Sequence, residues 1–439
     1  MDTKNIVAAI SLSAAVIVLY SLFFAPPPIT KENMAEGNKV EQNSDTPSLD
    51  QKENVAEISR EEALNQSERI NFENESIVGS ISLKGGVIDD LTFKQYNVSL
   101  DSQEKVTLLS PRNSKDGYLI ESGFITSDKN VEIPNSSSIW KVSGNNKLTD
   151  QSPIKISWTN DQGITFEKEI ALDDKYLFSI KQSVINPTDK KYDFYTYGQI
   201  IRNEMPDISN FYILHEGLVA TLDDELIEED YDDIQEKKFS RTAQKGWLGI
   251  GDKYWVTSLI PPREKEFKTT FDYKDKFRAN FVSTEPLELN ENSLIEETLQ
   301  IIVAAKRVDV IDGYAESLNI DKFDLTIDWG FLYFITKPLF FGIDYFFKLL
   351  GNYGLAIIAI TICIRLAFFP LANFSFRSMA KMKALQPEMA RLKELHKDDK
   401  MKLQQAMMAL YKKEKVNPMS GCLPILVQIP VFFALYKVL

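Results

Sequence analysis

The run LAIIAITICIRLAFFPLA, Leu355 to Ala372, is apolar enough to cross a bilayer, yet it carries Arg365 well inside. Two further runs share its length. Ile6 to Phe24 has no charge, and Met419 to Leu439 has only Lys437. Each run is about 18 to 21 residues, roughly 27 to 31 Å as a helix, which matches a hydrocarbon core of about 30 Å. Three such runs predict three transmembrane helices, so no single water-soluble globule accounts for the chain. The 439 residues also exceed one ordinary domain.

The first run has a second reading, a cleaved signal peptide. Signal peptidase needs small residues before the cut. Here Phe23 and Phe24 precede Ala25, and Pro26, Pro27 and Pro28 follow it. Both features favour an uncleaved anchor. Residues 1–24 are therefore expected to form a cytoplasmic tip and first anchor.

Charge orients the runs. Eleven Lys and Arg stand against five acids between Asn373 and Asn417, although the whole chain carries −13. Short loops rich in Lys and Arg stay in the cytoplasm, whereas long domains cross largely regardless of charge. Segment 373–417 is thus expected in the cytoplasm. The long acidic segment between the first two runs is expected in the periplasm. The two cysteines, Cys363 and Cys422, lie in or beside apolar runs. The exported part therefore has no disulfide framework and depends on its core.

Residues 25–68 are polar and poor in aromatics, and so are expected to be a disordered tether. From 69 to 320 the pattern alternates. In SIVGSISLKGG, residues Ile77, Gly79, Ile81 and Leu83 share a face; in ITFEKEIAL, Ile164, Phe166 and Ile170 do. Turn signals follow at Asn160-Asp161-Gln162-Gly163 and at Asn186-Pro187, both suited to hairpins. The expected architecture is a large antiparallel β-sandwich. It is closed by one helix with Val308, Ile311, Tyr314 and Leu318 on one face.

Residues 328–350 are crowded with aromatics, and Lys337, Asp344 and Lys348 fall on one helical side. This predicts an amphipathic helix in the membrane interface, with a core helix of the soluble domain as the alternative. The second span is expected at 353–372 and the third at 418–439. Between them, Met379, Met382, Leu385, Met389, Leu392 and Leu395 step by three or four. Leu403, Met407, Leu410 and Tyr411 resume the stripe after a polar turn. This predicts a helical hairpin, with Pro387 kinking its first arm.

Residues able to carry catalysis are scarce. The two histidines, His215 and His396, fall on opposite sides of the membrane in this topology. The run Asp223 to Asp233 lacks the ordered spacing of a calcium loop and reads as a solvated surface. No cofactor or metal is expected. Arg365 is the sharp feature, because a central Arg costs about 2.5–3.5 kcal/mol on insertion scales. Thr361 lies one turn earlier on its face, and Gln428 sits between Pro424 and Pro430. Together they outline a polar cavity. Snorkelling is the competing reading, since Arg365 is about 12 Å from the basic end of the span. Met379, Met382, Met389, Met407 and Met408 either pack on each other or present an adaptable apolar surface. Lys412, Lys413 and Lys415 are placed at the inner lipid surface.

Several stretches carry a resemblance. SMAKM, LQPE, MMALYKKEKVNP, GCLPILVQIP, the Arg of the second span and GWLGIGDKYWVTSLIPP (Gly246 to Pro262) together resemble the YidC membrane protein insertase family of Gram-negative bacteria. The similarity covers the chain from Ile6 except the tether. It implies a multidomain membrane protein of the inner membrane, with a periplasmic all-β supersandwich akin to sugar mutarotases and an α-helical transmembrane insertase core. It also implies insertion and folding of inner-membrane proteins, alone or beside the Sec translocon. On matching positions Arg365, Thr361 and Gln428 would line the groove. The hairpin from Phe376 to Val416 would face clients and the ribosome. Nascent inner-membrane proteins, the translocon, the ribosome and lipids are the implied partners, with no nucleic-acid substrate. Family members continue through three more membrane helices, so this chain is expected to be a C-terminally truncated piece. Two other functions were weighed: a membrane-anchored sugar-binding or mutarotase-like enzyme, which would need acid and base groups beyond His215, and a periplasmic scaffold for the translocon.

Overall fold

The computed structural model describes residues 58–206, 214–397, 399–414, 416 and 423–439. The expected first anchor, the tether as far as residue 57, the start of the third span before 423 and Lys415 lie outside the described residues.

Residues 58–68, expected in the disordered tether, are ordered. Helix α1 (Arg60–Leu64) opens with a capping box in which Ser59 and Glu62 satisfy each other's backbone N–H groups. Arg60 pairs with Asp90, which is buried on the sandwich. A charge partner and a cap thus offset the ordering entropy that composition alone suggested was unmet.

Two sheets form the sandwich. The eleven-stranded sheet runs from Phe239–Ala243 through Phe267–Tyr273, Phe277–Ser283, Tyr192–Arg202, Tyr118–Ile125, Val87–Asn97, Ile77–Ser82 and Arg69–Glu73 to Lys147–Leu148, and off this path Leu287–Leu289 pairs with Tyr192–Arg202 and Lys105–Leu109 with Val87–Asn97. The nine-stranded sheet runs from Glu225–Asp230 through Gly217–Leu222, Gly246–Gly251, Trp255–Ile260, Ser293–Ala305, Leu177–Asn186, Thr165–Leu172 and Ile154–Thr159 to Lys141–Ser143. Pairing is antiparallel except where Arg69–Glu73 meets Lys147–Leu148. The inner faces interdigitate in one core containing Phe72, Phe166, Phe178, Phe194, Trp247 and Phe281. Phe72 meets Phe178 edge-to-face at 5.2 Å.

The Asn160–Gly163 turn closes a hairpin as its residues predict, with Gly163 in the left-handed region at φ +83°. Asn186-Pro187 does not. Leu177–Asn186 belongs to one sheet and Tyr192–Arg202 to the other, so the turn is a crossover between layers. Asn186 holds that corner. Its carboxamide oxygen accepts from the Thr188 N–H and hydroxyl, and its nitrogen donates to the Lys190 and Asn290 carbonyls.

The acidic run forms an exposed edge strand, Glu225–Asp230, and then helix α2 (Tyr231–Glu236), whose Tyr231 is fully buried. Charge on an edge strand discourages pairing with other chains. Helix α3 (Val308–Ser317) closes the sandwich, burying Val310, Ile311 and Tyr314. Val308 and Leu318, expected on that face, are only half-buried.

Helix α4 (Tyr333–Leu350) and helix α5 (Tyr353–Ala384) are separated by two residues that stop one helix and start the next. Gly351 takes the left-handed conformation at φ +64°, and its N–H donates to the Phe347 carbonyl. The Asn352 side chain accepts the Leu355 N–H at 3.1 Å. Helix α5 has 32 residues, about 48 Å by helical rise. It runs unbroken past position 373, where charge suggested a boundary. It ends at Ala384, and α6 (Gln386–Leu395) begins with Pro387 in its first turn. The proline starts a helix instead of kinking one, because a first-turn N–H needs no partner. Helix α7 (Lys400–Lys413) is capped by Asp399, which accepts from the Met401 and Lys402 N–H groups. Helix α8 (Leu423–Val438) has 16 residues.

Candidate functional site

Helix α5 is the one described helix long and apolar enough to cross a membrane, and only 6% of its apolar window is buried by protein. A core helix of a soluble domain would be covered, so this surface calls for lipid. Helix α8 is a shorter apolar helix, about 24 Å by helical rise. Helices α4, α5 and α8 pack on one another. Small residues make the contacts close. Ala356 and Ala434 are buried, and a Cβ on Gly342 would stand 2.8 Å from Ile360 Cδ1.

Within this group Arg365 is exposed, and among the described residues it has no hydrogen-bond or ion-pair partner. Thr361 lies one turn earlier, half-buried, and its hydroxyl donates to the Ile357 carbonyl at 2.7 Å. Gln428 is half-buried on α8. Thr361 and Arg365 share a face of α5. No hydrogen bond joins either to Gln428 among the described residues.

The hairpin arms α6 and α7 pack on each other. Met389, Leu392, Leu403, Met407, Leu410 and Tyr411 are half-buried, and the Tyr411 hydroxyl lies 3.9 Å from the Met389 sulfur. Leu395, expected on this stripe, is instead 71% exposed, because α6 ends at that residue. Met382 on α5 is half-buried, whereas Met379, Met401 and Met408 are exposed. The stripe therefore divides into packed and free methionines. Lys412 and Lys413 are exposed.

Helix α4, expected in the membrane interface, is tied to the sandwich more firmly than its sequence indicated. Lys337, expected on a solvent-facing polar side, donates to Asp324 at 2.7 Å and to Asp312 at 3.2 Å. Burial opposes its charge, but these two carboxylates more than offset that and hold the ammonium above its usual range. Trp329 is also buried. It stacks edge-on against Phe340 at 5.6 Å and donates to the Asp324 carbonyl. By contrast Phe331, Phe334 and Tyr345 are exposed.

A cavity of about 180 Å³ lies where the sandwich, the strap of residues 327–332 that leads into α4, and α8 converge, lined by His215, Lys306, Asp328, Trp329, Phe340 and Lys437 among others. Burial pulls the Lys306 ammonium down to about 8, although Asp252, Asp328, Glu216 and Glu228 all favour its charge. His215 faces Asp230 at 3.0 Å through Nδ1 and the Leu218 carbonyl at 3.3 Å through Nε2. Both partners are oxygen acceptors, so a neutral imidazole donates to only one of them, the tautomer deciding which. Among the described residues no group of three or more His, Cys, Asp or Glu side chains is placed to hold a metal ion.

Sequence reasoning missed the Asp328–Lys437 pair at 2.6 Å. Its one signal was Lys437 as the only charge in an apolar run.

Known proteins match both halves of the chain. The YidC periplasmic domain family matches residues 69–341, and the family described as 60Kd inner membrane protein matches 345–439. The membrane protein insertase YidC of Pelagibacter ubique is 73% identical over 440 residues, covering 100% of this chain and 79% of that protein. Its namesake in Rickettsia prowazekii is 40% identical over 445 residues, 99% of this chain and 79% of the relative. The solved galactose mutarotase related enzyme of Lactobacillus acidophilus is 12% identical over 54% of this chain and 97% of that one, with a TM-score of 0.39, a likeness too slight to argue from. Two adjoining family matches and full-length identity of this order mean that the chain belongs to the YidC family of membrane protein insertases.

Proposed function

We propose that this chain inserts its clients through a polar face formed by α5 and α8, with Arg365 as the group that attracts the client. The observation that carries this reading is an exposed, unpartnered arginine in a helix otherwise fit for lipid. A charge there is costly unless water or an acidic client meets it. A hydrophilic client segment entering beside Arg365 has a shorter dry path to cross. Its apolar flanks then partition into lipid, and that burial supplies the driving force, so the reading requires no nucleotide. Thr361 and Gln428 would offer further hydrogen bonds along the path.

In this reading the chain is multi-pass. The sandwich stands in the periplasm and α6–α7 in the cytoplasm. The free methionines Met379 and Met408 meet apolar segments of clients leaving the ribosome. Lys412 and Lys413 rest on anionic headgroups, and the Sec translocon is a neighbour of the sandwich or the helices. The uneven charge of the two sides supports this orientation.

Insertion into proteoliposomes tests it, using clients whose translocated segment is acidic or neutral. A single charge interaction worth about 1.4 kcal/mol is about tenfold in rate. Arg365→Ala is therefore expected to slow acidic clients about tenfold and leave neutral ones unchanged, with Arg365→Lys close to the parent. Equal rates for parent and Arg365→Ala on every client would leave only snorkelling.

A further inference from the structure

We infer that Asp328 is a positioning residue for insertion, fixing the sandwich-side end of the groove helix α8 onto the sandwich. Its carboxylate is a three-way junction. Oδ2 accepts the Lys437 ammonium at 2.6 Å and the His215 backbone N–H at 2.9 Å, while Oδ1 accepts the Gly330 N–H at 2.9 Å. One partner belongs to α8, one to the segment entering the sandwich strand Gly217–Leu222, and one to the strap that leads into α4.

The pair is enclosed. The Lys437 and Asp328 side chains are 10% and 17% exposed. A hydrogen-bonded ion pair in such a place holds one geometry, since any shift strands a charge away from water. The backbone is shaped for it. Gly330 sits in the left-handed region at φ +69°, and the Lys437 stem passes 3.4 Å from where a Cβ would lie. Helix α4, into which the strap leads, is itself fastened to the segment that closes the sandwich, as Lys337 and the Tyr333 hydroxyl both reach Asp324, the latter at 2.6 Å. The position of α8 is thereby referred to the sandwich. Lys437 lies nine residues after Gln428 on the same helix, so movement at this joint moves the groove wall.

The inference rests on the groove reading, and its test separates the two. Spin labels are placed at Phe433→Cys on α8 and Leu294→Cys on the sandwich, both exposed, in the full chain with Cys363→Ser and Cys422→Ser. The inter-label distance distribution is measured beside insertion of the acidic and the neutral client. Lys437→Met keeps the stem and removes the charge. Asp328→Asn removes the charge, keeps an oxygen acceptor for one of the two N–H groups, and serves if the first variant folds poorly. Either is expected to broaden the distance and to slow both clients alike by about tenfold, with Lys437→Arg retaining both readouts. A narrow distance in both variants, or parent insertion rates in both, overturns the inference. A failure of the groove reading registers elsewhere, as unchanged acidic-client insertion by Arg365→Ala, and leaves the joint result standing.

Discussion

Lys168→Met is expected to stabilise the sandwich by about 2–3 kcal/mol near pH 6 and to lose that gain above about pH 10. Lys168 is 3% exposed in the strand Thr165–Leu172. Its ammonium donates to the Gly86 carbonyl at 3.0 Å and stands 5.0 Å from the Trp140 ring centre. Burial pulls it down to about 7, against an ordinary value of 10.5. Below pH 7 the folded and unfolded chains both carry the proton, and the folded one bears the full cost of a buried charge. Between about 7 and about 10.4 only the unfolded chain binds it, so stability rises with pH through that window. Above it the cost is gone. The gap corresponds to about 4–5 kcal/mol. Methionine removes that cost but leaves the Gly86 carbonyl without its donor, a loss of about 1–2 kcal/mol. Above about pH 10 only this loss remains, and the sign of the effect reverses. Urea unfolding of the full chain in detergent at several pH values measures it, followed by Trp140, Trp158, Trp247 and Trp255. A gain that stays constant with pH would contradict the account.

The second large effect is a loss. Arg202→Leu is expected to cost about 3–5 kcal/mol, because it strands a buried carboxylate. Arg202 ends a strand of the eleven-stranded sheet. It donates to Asp252 at 2.6 Å and to the Tyr231 hydroxyl at 3.0 Å. Its guanidinium lies over the Tyr118 ring at 4.7 Å. Asp252 follows a strand of the nine-stranded sheet and is 8% exposed. One side chain therefore ties the two layers at their rim. Adding Asp252→Leu removes the stranded charge and is expected to recover about 1–2 kcal/mol. The same unfolding measurement decides it, and a single variant as stable as the parent would refute the tie.

Both cases show how much the chain discloses before it is folded. The alternation that put Ile164, Phe166 and Ile170 inward also places Lys168 inward, because residue 168 has their parity. The pattern was legible, and the charge disguised it. Arg202 was not legible, since its partner is fifty positions away. The residues of the proposed groove divide in the same manner. The Thr361–Arg365 face follows from helical period alone. The packing of α4, α5 and α8, which brings Gln428 to the same helix group, buries Ala356 and Ala434 and sets Gly342 against Ile360, contacts between separate helices.

Local signals were decisive where the physics is local. Apolar length marked α5, and period-two alternation marked the strands. Steric limits on the backbone and the partition of side chains between water and apolar surroundings act within a few residues, so sequence alone determined the β-domain, the apolar length of α5 and the uneven charge along the chain. Tertiary structure alone decided that Asn186-Pro187 crosses between sheets, that Arg60 docks on Asp90, that Lys337 leaves its polar face for Asp312 and Asp324, and that Lys437 meets Asp328. Each joins residues set apart in the chain, and the free energy that selects such a partner arises only when folding removes both from water.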